Sequence, residues 1–188
     1  GVLDPLFVNA IAFGRGDDCA VLLCLDLLGL YGTFAGQLPE KVASAVGLPK
    51  EAVFICCTHT HTSPSLGTDA LYDEWFVRRL CDAATIAMRE RKPVTDVQWA
   101  EANAEGLAFV RRYYIKDGTV LTNPLASEVV RYACENDDSM RLVRILRKDA
   151  PEIAIVNFQS HPDNTGGEYY SADYPGALRD RVEQGRSG

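Results

Sequence analysis

Three histidines are the only imidazoles in this chain of 188 residues, and all of them fall in two short polar clusters. Cys57-Thr58-His59-Thr60-His61-Thr62-Ser63-Pro64 and Asn157-Phe158-Gln159-Ser160-His161-Pro162-Asp163 each follow directly on an apolar run. A neutral imidazole is a good donor to zinc, and its proton affinity suits transfer near neutral pH. Histidines placed only at strand ends point to a metal or proton-transfer site, and so to an enzyme.

His59 and His61 are two residues apart, so on an extended backbone both side chains leave the same face. They share a metal, divide the roles of ligand and proton carrier, or sit at a rim bonding nearby backbone. Thr58, Thr60, Thr62 and Ser63 either orient the imidazoles or satisfy a loop. Asp26 interrupts an apolar run, Leu25-Asp26-Leu27, and a buried carboxylate needs an imidazole, an arginine or an N–H as partner. Support of a ligand from behind is the role favoured for it. Asp163 and Glu168 are further carboxylates near His161. Asp173 stands at a helix start, where capping suits it better than direct catalysis.

Composition narrows the function classes. A net charge of -7 without a long basic run argues against nucleic acid and against anionic lipid headgroups, and favours a neutral or cationic small molecule. No apolar run approaches the roughly 20 residues of a membrane span, and no basic-then-apolar leader opens the chain. The six cysteines form no C-x-x-C pair, which favours free thiols in a reduced, cytoplasmic setting, with secretion still open if the N-terminus is trimmed. Cys57, in an apolar strand two residues from His59, is a poor candidate for a thiolate nucleophile.

The elements that must position these groups follow from periodicity. Apolar runs at 6–13, 20–28, 52–57, 142–146 and 153–158 predict buried strands. Helical spacing at 37–46 ends on Gly47. A second helix takes Thr68 or Asp69 as its N-cap and buries Leu71, Trp75, Leu80, Ala84, Ala87 and Met88. Residues 94–104 alternate, and 109–121 read as two strands joined at Lys116-Asp117-Gly118, a hairpin. The stretch from Asn123 to Met140 reads as loop, and Ser171 and Asp173 cap a last helix with Pro175 in its first turn. The expectation is a single α/β domain over residues 1–188, a layered sandwich with a mixed, largely buried sheet, an inserted hairpin and flanking helices. If the strands before Asp26, His59 and His161 are parallel neighbours, their ends converge on one rim. The chain enters a strand almost at once, and residues 181–188 stop just after a helical pattern begins, so a portion of a longer domain is expected.

Several segments together resemble the neutral/alkaline, non-lysosomal ceramidase family. Cys57-Thr58-His59-Thr60-His61-Thr62-Ser63-Pro64 looks like its T-H-T-H-S-G-P signature, Asn157 to Pro162 like its second histidine motif, and Ser171-Ala172-Asp173-Tyr174-Pro175-Gly176 like its S-A-D-[YF]-x-G segment. Phe109-Val110-Arg111-Arg112-Tyr113 and the following hairpin are similar to its F-N-R stretch, and Leu25-Asp26-Leu27 fits its early strand. The matches keep the family's order. Thr62-Ser63-Pro64 stands where the family has S-G-P, and Val110 where Asn is usual.

The resemblance implies a zinc-dependent amidase that cleaves N-acyl sphingosine, or a related lipid amide, by a metal-activated water. By the family's pattern His59 and His161 bind Zn2+, His61 moves protons beside it, and Arg111 holds a developing oxyanion or a substrate hydroxyl. The family's further ligands, a Glu and a Tyr, lie beyond the last motif matched, so either the native chain continues, or Asp26, Asp163 or Glu168 substitutes, or the site is empty. Two rivals stand beside this expectation. One is another metal-dependent hydrolase, a two-metal phosphoesterase or amidohydrolase ligated by all three histidines and aspartates. The other is a non-catalytic, lipid-binding relative.

Overall fold

The computed structural model describes residues 1–185; the final three residues of the expected C-terminal helical pattern lie outside the described residues. Contacts divide the chain into two compact units, one built from Gly1–Arg91 and the segment from Pro162 onward, the other from Lys92–His161. The α/β class expected from sequence holds, with helices and several sheets.

The first unit is organised by a mixed sheet of three strands in the order β1-β2-β3: β1 (Val8–Arg15), β2 (Asp18–Leu25) and β3 (Val53–Cys57). β1 and β2 are antiparallel, from Val8 opposite Leu25 to Arg15 opposite Asp18. β2 and β3 are parallel, ending with Leu25 beside Cys57. Alternation along β2 sends Val21, Leu23 and Leu25 to one face, where each is at most 1% exposed. That face packs with α1 (Gly32–Val46) and α2 (Ala70–Arg89), whose Leu38, Val42, Phe76, Leu80 and Ala84 complete the core.

α1 begins five residues before the expected Gln37, and Pro39 lies inside it. A proline in a helix interior forfeits a backbone hydrogen bond. Here the fully buried Leu38 and Val42 flank it and bind the helix to the sheet. Gly47 closes the helix as expected, at φ 70, with the Leu48 N–H reaching back to the Ala43 carbonyl at 3.0 Å.

In α2, Asp69 is the N-cap, accepting from the Leu71 and Tyr72 N–H groups. Its buried stripe is Asp73, Phe76, Leu80 and Ala84, whereas Leu71 and Trp75, expected inside, are 80% and 48% exposed. Asp73 faces inward because both its carboxylate oxygens accept from the Gly67 N–H, which turns the 71/75 edge outward.

The last helix, α3 (Asp173–Gln184), departs from its expected capping. Ala172 holds the N-cap position with no side-chain capping bond. The start of the helix is instead held by Asp4, which accepts from the Ala172 N–H at 2.7 Å and the Ser171 hydroxyl at 2.6 Å. Ser171 Oγ in turn accepts from the Asp173 N–H at 3.0 Å. A partner 168 residues away leaves no local trace in the sequence.

The second unit holds two antiparallel sheets, β4-β8-β9 and β6-β5-β7. The first comprises β4 (Val94–Asn103), β8 (Ser139–Arg147) and β9 (Ala150–Asn157). The second comprises β5 (Arg112–Ile115), β6 (Val120–Thr122) and β7 (Val129–Tyr132). The expected hairpin is β5–β6, closed by Gly118 at φ +85 with its N–H on the Ile115 carbonyl at 2.9 Å. β7 lies in the stretch read as loop. Its pairing with β5 puts Tyr113 against Tyr132, ring centroids 5.0 Å apart, a cross-strand contact that short-range patterning does not reveal.

Strand β9 corrects the expectation of one rim of parallel strands. It pairs antiparallel with β8, Arg141 opposite Asn157 through Arg147 opposite Ala150, and belongs to a different sheet from β2 and β3. Apolar runs of this length carry no direction, so sequence alone did not distinguish the pairings. β4 is exposed at every residue. Among the described residues no helix is long and apolar enough to cross a membrane.

Candidate metal centre

The polypeptide leaves β3 at Cys57 and stays beside β2 for two more bonds, Thr58 N–H to the Leu25 carbonyl and His59 N–H to the Leu27 carbonyl, each at 2.9 Å. His59 then takes φ 71, a left-handed backbone that a non-glycine residue adopts rarely, though histidine is among those that tolerate it. Strain of this kind concentrates at functional sites when the surroundings over-determine it. The surroundings here are polar and ordered. Thr60, fully buried, donates to the Ser171 carbonyl at 2.7 Å, Thr62 donates to the same oxygen at 3.1 Å, and the Ser171 N–H returns to the Thr62 carbonyl at 2.9 Å. Ser63 Oγ accepts from the Leu28 N–H at 3.0 Å. Thr60, Thr62 and Ser63 therefore hold the loop.

What holds the His59 ring is a backbone group. Its Nδ1 lies 2.6 Å from the Leu28 carbonyl, and since a carbonyl only accepts, Nδ1 carries the proton and Nε2 presents its lone pair. A ligand oriented from behind by a carbonyl is the arrangement typical of metal-bound histidine. Leu28 has no chemical signature that sequence reading could have used.

His61 packs edge-on against His59, ring centroids 5.1 Å apart at 87°. Its Nδ1 is 3.8 Å from Asp163 Oδ1, and its backbone N–H bonds the Pro162 carbonyl at 3.3 Å. His161 is the residue joined directly to that Pro162. His59, His61 and His161 each offer one ligand atom, and these atoms lie within 4.8 Å of one another. His59 and His61 are exposed and His161 is half-buried, so water reaches the group.

The donor set fits a zinc ion. Imidazole suits zinc, copper, iron and nickel. Three protein ligands with one open position is the usual catalytic zinc arrangement. Ligands at about 2.0–2.1 Å from a tetrahedral ion stand roughly 3.4 Å apart, beside the 4.8 Å within which the three ligand atoms lie here.

The other candidates take different places. Asp26, fully buried, is gripped by Arg179 through two contacts at 2.9 and 3.3 Å and accepts from the Phe7 N–H at 2.9 Å. Of the partners the sequence allowed it, arginine and a backbone N–H are both present. Arg179 also stands over the Phe7 ring, 5.0 Å from its centroid. Asp173 is buried, at φ 54. Its carboxylate collects the Asn164 N–H at 2.9 Å, the Thr165 N–H at 2.7 Å, the Asn164 amide at 3.0 Å and the Tyr174 N–H at 2.6 Å. Burial raises its pKa, but these hydrogen bonds together outweigh it and hold the carboxyl below its ordinary range. Asp173 thus organises the loop that follows His161. Arg111, half-buried, precedes β5 in the second unit, where its carbonyl accepts from the Asn123 N–H at 2.9 Å. Glu168 is exposed. Burial pushes the Cys57 thiol up to about 11, in keeping with its poor prospects as a nucleophile.

Among the described residues, Thr58 Oγ1 is a buried side-chain oxygen without a hydrogen-bond partner. It sits one residue before His59, and sequence gave no sign of it.

Compared with protein-family models and with curated proteins, the chain matches none of either. The ceramidase resemblance therefore rests on its motifs.

Proposed function

We propose that the chain carries a zinc-dependent hydrolase site that cleaves an amide C–N bond, with N-acyl sphingosine or a related lipid amide as substrate. The observation that carries this reading is the meeting of three imidazoles, the chain's entire stock, with ligand atoms within 4.8 Å of one another. The lipid amide comes from the resemblance of the histidine motifs to ceramidases.

In this reading His59 and His161 hold the ion. A zinc ion there supplies the Lewis acidity that makes water a nucleophile near neutral pH. His59 is held ready by the Leu28 carbonyl, which fixes its tautomer and aims Nε2. His61, with the Asp163 carboxylate 3.8 Å from Nδ1 as countercharge, carries a proton toward the leaving nitrogen.

A second reading has specific support: the mutual spacing includes His61 on equal terms, so all three rings ligate one ion. Zinc content and turnover of a fluorescent N-acyl amide, measured on His59→Ala, His161→Ala and His61→Ala, separate the two. Metal loss in the first two with retention and inactivity in the third supports the split of roles. Equal metal loss in all three supports the three-ligand site. Wild-type protein that takes up no zinc sinks both.

A further inference from the structure

The mixed sheet has a second face. Opposite the helix-covered side, alternation places Leu22 and Cys24 of β2 with Phe54 and Cys56 of β3. Phe54 is 65% exposed, and both cysteines are half-buried, so small solutes reach them. Cys24 and Cys56 are direct register partners across the parallel pair. Neighbouring strands run about 4.8 Å apart, inside the roughly 4.4–6.8 Å range of Cα separations that a disulfide spans.

We infer that Cys24 and Cys56 form a peroxide-reactive dithiol, in which Cys56 is the attacking sulfur and Cys24 resolves it to a disulfide that clips β2 to β3. Register makes the two thiols neighbours, and they shift one another's proton affinity in opposite directions. The adjacent Cys24 thiol is the largest influence on Cys56 and, against burial, brings it down to about 7. The Cys56 sulfur, with burial, raises the proton affinity of Cys24. A thiolate is the nucleophilic form, and one with a pKa near ambient pH combines population with reactivity.

The chemistry balances with hydrogen peroxide or an alkyl hydroperoxide as oxidant. The Cys56 thiolate attacks one peroxide oxygen, the O–O bond breaks, and hydroxide or alkoxide leaves, giving a sulfenic acid. The Cys24 sulfur then attacks Cys56, the S–S bond forms and the S–O bond breaks. The departing hydroxyl takes the Cys24 proton and leaves as water. Two thiol sulfurs are oxidised and one peroxide is reduced. Cys134, the exposed cysteine on the second unit, provides an internal reference.

The test treats the chain with one equivalent of hydrogen peroxide at pH 7, alkylates, and maps cysteines by fragmentation mass spectrometry without reduction. A Cys24–Cys56 link, with Cys56 in untreated protein alkylated at least tenfold faster than Cys134, is the expected result. Cys24→Ser should stop at a sulfenic acid on Cys56 that dimedone traps, and Cys56→Ser should leave Cys24 reduced. A link between other cysteines, or alkylation of Cys56 no faster than Cys134, overturns the proposal; both readouts come from unmutated protein and do not depend on a variant folding.

Discussion

The Nδ1 atom of His59 and the carbonyl oxygen of Leu28 are 2.6 Å apart, joining the residue that begins the histidine cluster to the segment that leaves the central strand. The bond fixes a tautomer. In long-range nitrogen–proton NMR spectra at neutral pH, His59 is expected as its Nδ1–H form, with Nε2 as the nitrogen that shifts when zinc is added. A ring in the Nε2–H form, or one whose Nδ1 moves on zinc addition, contradicts the orientation assigned to it.

The buried pair of Asp26 and Arg179 ties α3 to the end of β2, one residue past Leu25. Removing one partner from a buried ion pair typically costs about 3–5 kcal/mol, because the other charge remains in an apolar setting. Arg179→Met is therefore expected to destabilise the fold by about 3 kcal/mol in urea titration. The double variant Asp26→Leu with Arg179→Met should recover most of that loss, and additive losses in the pair would show that no coupling exists.

Asp173 gives a pH dependence. Its folded-state pKa is depressed, so its stabilising contribution is complete above the unfolded value of about 3.9 and is lost as pH falls through the folded value. Asp173→Ala should cost about 2 kcal/mol at pH 7, the scale of hydrogen bonds to a charged group, and the gap to wild type should shrink steadily below about pH 4. Asp173→Asn should cost less, since Asn also tolerates the positive φ found there. Urea midpoints at a series of pH values decide; a gap that persists undiminished into acid would exclude the carboxylate as its source.

Thr58 offers a stabilising change. Its buried hydroxyl lacks a partner among the described residues, and an unsatisfied buried polar group typically costs about 1–3 kcal/mol. Thr58→Val keeps the branched shape and removes the oxygen. The variant is expected to match or exceed wild type by about 1 kcal/mol in thermal unfolding, and a clear loss would reveal a bond that the hydroxyl makes.

The sequence was legible where signals are local. β2 and β3 stand out as apolar runs, Gly47 as a left-handed cap, Gly118 as a hairpin turn, and Asp69 as an N-cap. Each is decided by a residue's own backbone preference or by neighbours within a few positions. The histidines were legible for a different reason: the chain has only three, and both clusters follow apolar runs.

Long-range partners decided the rest. Nothing near Ser171 announces that Asp4 holds the start of α3, nothing near Asp26 names Arg179, and a leucine carbonyl that orients an imidazole has no signature at all. The direction of β9 was equally hidden, because an apolar run records burial and not which neighbour, parallel or antiparallel, supplies its hydrogen bonds. Sequence by itself therefore determined which residues were available for chemistry. The tertiary structure determined which of them meet, since bringing groups a hundred residues apart within a few ångströms depends on chain reversals and packing that no local preference encodes.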